Sequence, residues 1–202
     1  AIAARVIRFR DGAITEIETI KANQGDADRL WDPDHLTAVS PDLRLSIREA
    51  ERESYYELIG TAEGYWRAFQ TNGTPLYRPA RLMPDLRRYE NGLQTTHVMR
   101  DGEYASAAGR FAEGRYPNRN IWNRRYPVVD EERGIVLSIV RFGTKGGKQA
   151  QSPLTSNDRL VGEFFAIKGG YIQEIQAVLV NLPDEQPTGW PPDYGPGRGS
   201  EQ

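Results

Sequence analysis

The chain has 202 residues, 38% of them hydrophobic, with 10 Tyr, 6 Phe and 4 Trp, which is the make-up of one domain with a core and not of a disordered polymer. Its 26 basic and 28 acidic side chains leave a net charge of −2 and form no basic block, which argues against a nucleic-acid partner. There is no cysteine, so disulfides, thiolate chemistry and cysteine-bound zinc are excluded, and no apolar run is long enough to span a membrane.

In chain order, Arg5–Ile20 reads as a β-hairpin around Asp11-Gly12. Residues 23–45 contain Gly25, Pro33, Pro41 and several Asp, and read as a linker; His35 within it is expected in a solvated loop. Ser46–Gln70 is the clearest helix, with a capping box at Ser46 and Glu49, apolar residues three or four apart, and an end at Asn72-Gly73. Pro75–Leu86 reads as a short second helix or turn. Arg87–Met99 holds an Asn-Gly turn between short strands, and Glu103–Ala112 a short helix. Trp122–Val129 and Ile135–Phe142 form the next hairpin. A polar loop, expected to be mobile, spans Thr144–Asn157. Asp158–Val180 closes the unit as a hairpin around Gly169-Gly170, and a Pro- and Gly-rich tail with Trp190 follows Pro183.

The first and last hairpins are alike. Moved along by 158 positions, Arg10-Asp11-Gly12 falls on Lys168-Gly169-Gly170, and Ile14, Glu16 and Ile17 fall on Ile172, Glu174 and Ile175. That points to a duplicated unit: residues 1–22 as the closing hairpin of a preceding copy, 23–45 as linker, 46–182 as a complete second copy, and 183–202 as tail. With a plain two-residue turn, Val161, Glu163, Phe165 and Ile167 share a face with Ile172, Glu174, Gln176 and Val178. The opposite face, with Leu160, Phe164, Ile175 and Leu179, is then the core under the helices. The first face is expected to meet another sheet, with Glu16 as the pseudo-symmetric counterpart of Glu174. Helices first and about six strands in antiparallel hairpins after them give an α+β fold, a strongly curved antiparallel sheet wrapped around N-terminal helices.

Several segments resemble the SnoaL-like, or nuclear transport factor 2-like, superfamily, and within it an uncharacterised fungal and bacterial family of tandem SnoaL-like proteins. They are Arg88-Tyr89-Glu90-Asn91-Gly92-Leu93-Gln94-Thr95-Thr96, the run from Arg124 to Gly134, the run from Gly162 to Gly170, and Thr188-Gly189-Trp190. The resemblance implies a cone-shaped fold and a preceding half ending in a motif like residues 11–18. It also implies cysteines near 86 and 97, where this chain has Leu86 and His97. Enzymes on such cones resemble one another in using a deep apolar pocket with one acid or base. The implied function is a cofactor-independent lyase or isomerase acting on a hydrophobic, aromatic or polyketide-like substrate. The alternative is a non-catalytic ligand-binding or dimerisation module. The expected partner is a second copy, as homodimer or pseudo-dimer.

No Walker loop, GxGxxG after a strand or HExxH is present, and two histidines without cysteine support no zinc site, so no cofactor or metal is expected. The candidate acids and bases are His97, whose imidazole titrates near neutrality, Asp85 before the first strand of the main sheet, and Glu163 in the closing hairpin. Trp122, Arg124 and Tyr126 share a face if their hairpin has no bulge, and a guanidinium among aromatics can hold developing negative charge. A structural cation–π contact is the other reading of the same face. Tyr56 is a further candidate substrate contact. The compartment stays open between cytoplasmic and exported, residue 1 being alanine, which is compatible with a removed leader.

Overall fold

The computed structural model describes residues 1–27, 30–37, 39–100, 102–116, 119–144 and 159–182. The expected polar loop beyond Thr144 and the tail beyond Leu182, Trp190 included, lie outside the described residues.

Strands β1 (Ile2–Arg10) and β2 (Ala13–Ala22) form the expected first hairpin, with Asp11 and Gly12 at φ 52° and 76°. Two successive positive φ values give the turn whose twist matches the strands it joins. A 3-10 turn at Pro33–Thr37 follows, in which His35 stacks on Tyr89 at 4.2 Å, and then the short α1 (Pro41–Arg44), capped by Ser40. The long helix α2 (Tyr55–Thr71) begins at Tyr55 and not at Ser46, and its capping box is Ser54 with Glu57. The stretch before it is held elsewhere. Ser46 Oγ and Ile47 N–H donate to Glu132 at 2.7 and 2.8 Å, and Glu49–Glu51 makes a single 3-10 turn. Pairing with a distant loop overrides the local helical pattern there.

Pro75–Leu86 is not a second helix. It runs from a turn into β3 (Leu82–Glu90), where Pro84 is tolerated because the pairing with the last strand breaks between Leu82 and Arg87. The Asn91-Gly92 turn leads into β4 (Leu93–Gln94) as expected. Strands β5 (Val98–Arg100) and β6 (Glu103–Ala105) form a small separate ribbon, and α3 (Ala107–Ala112), capped by Ser106, takes only the second half of the expected helix. Strands β7 (Arg119–Asp130), β8 (Ile135–Thr144), β9 (Arg159–Lys168) and β10 (Tyr171–Asn181) are the two expected hairpins.

These join in a six-stranded sheet of order β4-β3-β10-β9-β8-β7, antiparallel except where β3 lies parallel to β10. The fold is α+β with a mostly antiparallel sheet and few helices. On one face, Leu58, Ala62, Tyr65, Trp66 and Phe69 of α2 pack on Val140, Val161, Phe165, Ile175 and Leu179. The N-terminal hairpin covers the opposite, outer face, where Ile2, Ala4, Ile20 and Ala22 meet Ile139, Phe164 and Val178.

This corrects the faces expected for β9 and for Ile172, while Ile175 and Leu179 in the core, and Glu174, Gln176 and Val178 on the other face, are placed as expected. In β9 it is Val161, Phe165 and Ile167 that enter the core under α2, with Glu163 beside them, while Phe164 faces the N-terminal hairpin. In β10 a bulge at Gln173 shifts the register, so that Ile172 opposes Ile167 but Glu174 opposes Ala166. One extra residue reverses every side chain beyond it. Ile175, Ala177 and Leu179 therefore join the Glu163 face, and Glu174 and Gln176 go to the outer face.

Candidate functional site

Alternation along β3 carries Leu86, Arg88 and Glu90 into the core face. Arg88 Nε lies 3.2 Å from Glu163 Oε1, and the same guanidinium contacts Glu90. Glu163 is fully buried, and its Oε2 has no hydrogen-bond partner among the described residues. Burial raises the Glu163 carboxyl above the ordinary glutamate range; Arg88 pulls it down without cancelling the rise. The Tyr65 phenol beside them is pushed well above its ordinary value by burial. A carboxyl in this condition, between a cation and a phenol, can exchange a proton with a molecule that reaches it. The surroundings are closely filled, however. The Tyr65 ring is 5.0 Å from those of Trp66 and Phe69 and 5.2 Å from that of Phe165.

A second cluster joins α2 to β7. Arg124 Nη2 is 3.1 Å from Glu63 Oε1, Arg124 Nη1 donates to Gln70 Oε1 at 2.7 Å, and the Tyr126 hydroxyl donates to Glu63. Burial first, and Glu63 second, raise the Tyr126 phenol. Glu63 was not legible as a partner: Arg67 at i+4, 3.3 Å away, is the pattern of a solvated helix pair. Of the two aromatics expected beside Arg124, Tyr126 is in this cluster and Trp122 is not. Register shifts interrupt β7 between Trp122 and Arg125 and again between Arg125 and Val128, and Asn123 in the first has φ 53°. Trp122 thus turns to the outer face, where Arg141 lies 5.4 Å over its ring. Arg125 is on that face too, bound through both terminal nitrogens to Glu18 of β2 at 3.0 and 2.5 Å.

The remaining candidates stand apart. His97 is exposed, at φ 54°, with its Nδ1 against the Tyr104 hydroxyl of the β5–β6 ribbon. Asp85 is exposed on β3 and makes no hydrogen bond or ion pair among the described residues. Tyr56 is 82% exposed, with its ring edge to face against Tyr55. A cavity of about 530 Å³ does exist, but it lies on the outer face, between β1, the 36–43 segment and β10, and none of the sequence candidates lines it.

The outer face carries the most ordered arrangement. Glu174, fully buried there, accepts from Ser40 at 2.8 Å and Gln176 at 2.9 Å and pairs with Arg87 at 3.0 Å. Its counterpart Glu16 pairs with Arg8 at 2.8 Å. The two hairpins match in register as well as in sequence. Arg8 opposes Glu16 and Phe9 opposes Ile14, skipping Thr15; 158 positions on, Ala166 opposes Glu174 and Ile167 opposes Ile172, skipping Gln173. The turns agree, with Gly169 and Gly170 at φ 61° and 74°. Ile2, Ala4, Val6, Ile20 and Ala22 pack on Leu160, Gly162, Phe164, Val178 and Val180, and each set is the positional counterpart of the other. Two sheets that meet through the same patch have the geometry of a two-fold interface.

Fold and clusters together define an α+β domain whose sheet is covered on one face by a long helix and on the other by a register-equivalent of its own closing hairpin. Residues 51–179 match the model of the family described as "Domain of unknown function (DUF8021)", more than half of the chain, and the chain belongs to that family. No curated protein matches it. Among the described residues no helix is long and apolar enough to cross a membrane.

Proposed function

We propose that residues 46–182 form a SnoaL-like, nuclear transport factor 2-like cone, that residues 1–22 are the closing hairpin of another such unit, and that the outer sheet face joins the two. The observation that carries this reading is the packing of one hairpin on its positional counterpart through matching residues. One long helix laid across a mostly antiparallel sheet supports the cone. The filled aromatic core and the separation of His97, Asp85 and Arg124 support a non-catalytic, assembling role. Ile20→Asp displaces the hairpin and leaves Phe164 and Val178 bare, and the chain then pairs with itself, read as a dimer in sedimentation velocity. A chain with a displaced hairpin that stays monomeric refutes the assembly role.

One observation favours a second reading: buried Glu163, beside Arg88 and Tyr65, has an oxygen with no hydrogen-bond partner within 3.5 Å among the described residues. On it the domain is a cofactor-independent lyase or isomerase for a hydrophobic, aromatic or polyketide-like molecule, with Glu163 moving the proton. Native mass spectrometry of the purified chain separates the two. A small molecule held in stoichiometric amount, and lost in Glu163→Gln, favours the enzyme; its absence favours the assembly module.

A further inference from the structure

The N-terminal hairpin has a second apolar face, turned away from the sheet. Ile7, Phe9, Ile14 and Ile17 on it are 43%, 64%, 54% and 58% exposed. Their counterparts 158 positions on are Phe165, Ile167, Ile172 and Ile175, each buried in the core under α2. An exposed apolar patch of this size on a strand pair marks an interaction surface. Its edges are open as well: among the described residues β1 and β2 pair only with each other, whereas β9 also pairs antiparallel with β8, and β10 also pairs parallel with β3.

We propose that this surface takes a unit of the same fold, which supplies an amphipathic helix to the Ile7–Phe9–Ile14–Ile17 face, an antiparallel strand to β1 and a parallel strand to β2. The proposal rests on the assembly reading above and names its partner. The outer-face cavity fits it. Across the two-fold relation, the contact of Arg125 on β7 with Glu18 maps onto a contact of the partner's β7-like strand with Gln176, the counterpart of Glu18. Gln176 lines the cavity, together with Ile2 at the start of β1 and Val178. The cavity is the seat of that strand. One position sets the partner's chemistry. Arg5 stands where Glu163 stands, so the charge at that depth is reversed, and the partner unit presents a carboxylate where this one has Arg88.

The test is a fusion in which residues 23–158 of this chain are placed directly before Ala1, so that β1 and β2 close the added copy. It is made with Arg5 and with Arg5→Glu, the second restoring the pair with the copied Arg88. Hydrogen exchange across residues 5–17 is expected to slow about 100-fold in the Arg5→Glu fusion relative to the chain alone. The Arg5 fusion is expected to be less protected, and Arg5→Glu in the chain alone is expected to change nothing. Phe9→Asp is expected to remove the added protection in the fusion while leaving the thermal midpoint of the chain alone unchanged. Exchange that is the same in fusion and chain, or an added copy that stays unfolded by circular dichroism, overturns the proposal. So does a dimer of the unfused chain that Phe9→Asp abolishes, because a second hairpin then occupies the face. None of these variants touches Ile20 or Gly162, so failure here leaves the outer-face reading to its own test.

Discussion

Gly162→Val measures how firmly the N-terminal hairpin is seated. A Cβ at Gly162 meets Ile20 Cδ1 at 2.8 Å and Ala4 Cβ at 3.3 Å. The end of an isoleucine can swing aside, so Gly162→Ala costs only about 1 kcal/mol. Valine adds two γ carbons beyond that Cβ, in the space that Ile20 and Ala4 fill, and overpacking of that size costs about 3 kcal/mol, less what its strand preference returns. Against this stands the burial of Ile2 and Ile20, 6% and 3% exposed. At about 1.5–3 kcal/mol each, they contribute about 3–6 kcal/mol at most, before the entropy of holding the hairpin is subtracted. Valine is therefore enough to unseat it. Gly162 faces away from α2, so the core survives. Trypsin is the assay, because Arg5, Arg8, Arg10 and Lys21 all lie in the hairpin. Rapid cleavage at these sites, unchanged far-UV circular dichroism and a thermal midpoint lower by about 6 °C or more are expected, at about 2–4 °C per kcal/mol. A valine variant whose hairpin resists trypsin as well as the parent chain does would refute the reasoning.

Three further outcomes follow from the polar clusters. Because burial raises the Glu163 carboxyl, the stability it contributes is present in full below the ordinary glutamate range and is lost as pH rises through the raised value. Glu163→Gln removes that loss, so the variant gains on the parent as pH rises above the ordinary glutamate range, read from urea midpoints; a constant gap sinks the idea. Glu18→Ala takes the bidentate partner from Arg125, whose side chain is 3% exposed, and costs about 3 kcal/mol in the same assay. Combined with Gly162→Val the two losses fall short of their sum, since an unseated hairpin has already broken the pair; full additivity contradicts the coupling. His97→Ala and Asp85→Asn, both on exposed side chains, each leave stability within about 0.5 kcal/mol.

The hairpins were legible because their turns are written in the chain: Asp11-Gly12, Asn91-Gly92 and Gly169-Gly170 all adopt the positive φ that those residues accept. The faces were not. In Ile172-Gln173-Glu174-Ile175 the phase can be set from either isoleucine, and both are buried, which only a bulge at Gln173 permits. Without the bulge, Val161, Glu163, Phe165 and Ile167 are put on the face of Glu174, and the core side of β9 is misplaced. The same limit hid the clusters. Arg88 reaches Glu163 across 75 residues of chain and Arg124 reaches Gln70 across 54, and pairing at such separations is decided by sheet order, including the parallel β3–β10 contact that no local pattern announces. Trp122 left its expected face for a similar reason, two bulges in β7 that neither Pro127 nor Asn123 signals by itself.

The repeated bulge gives the strongest argument for common design in the two hairpins. A bulge at Gln173 alone is one local way of burying both Ile172 and Ile175. A second at Thr15, in the same register, brings Ile14 and Ile17 to one face, which here is exposed. A free hairpin gains nothing from that arrangement, because turning Ile17 to the side of Ile14 only enlarges a bare apolar face. It becomes favourable when the face is covered, as α2 covers Ile172 and Ile175. The glutamate after each bulge fits the same view. Glu174 takes its cation from the neighbouring strand, as Arg87 of β3. Glu16 takes its cation from within the hairpin, as Arg8, whose counterpart is Ala166. A β3-like strand laid beside β2 brings a second cation within reach of Glu16, and Arg8 is then the residue whose replacement by alanine costs least.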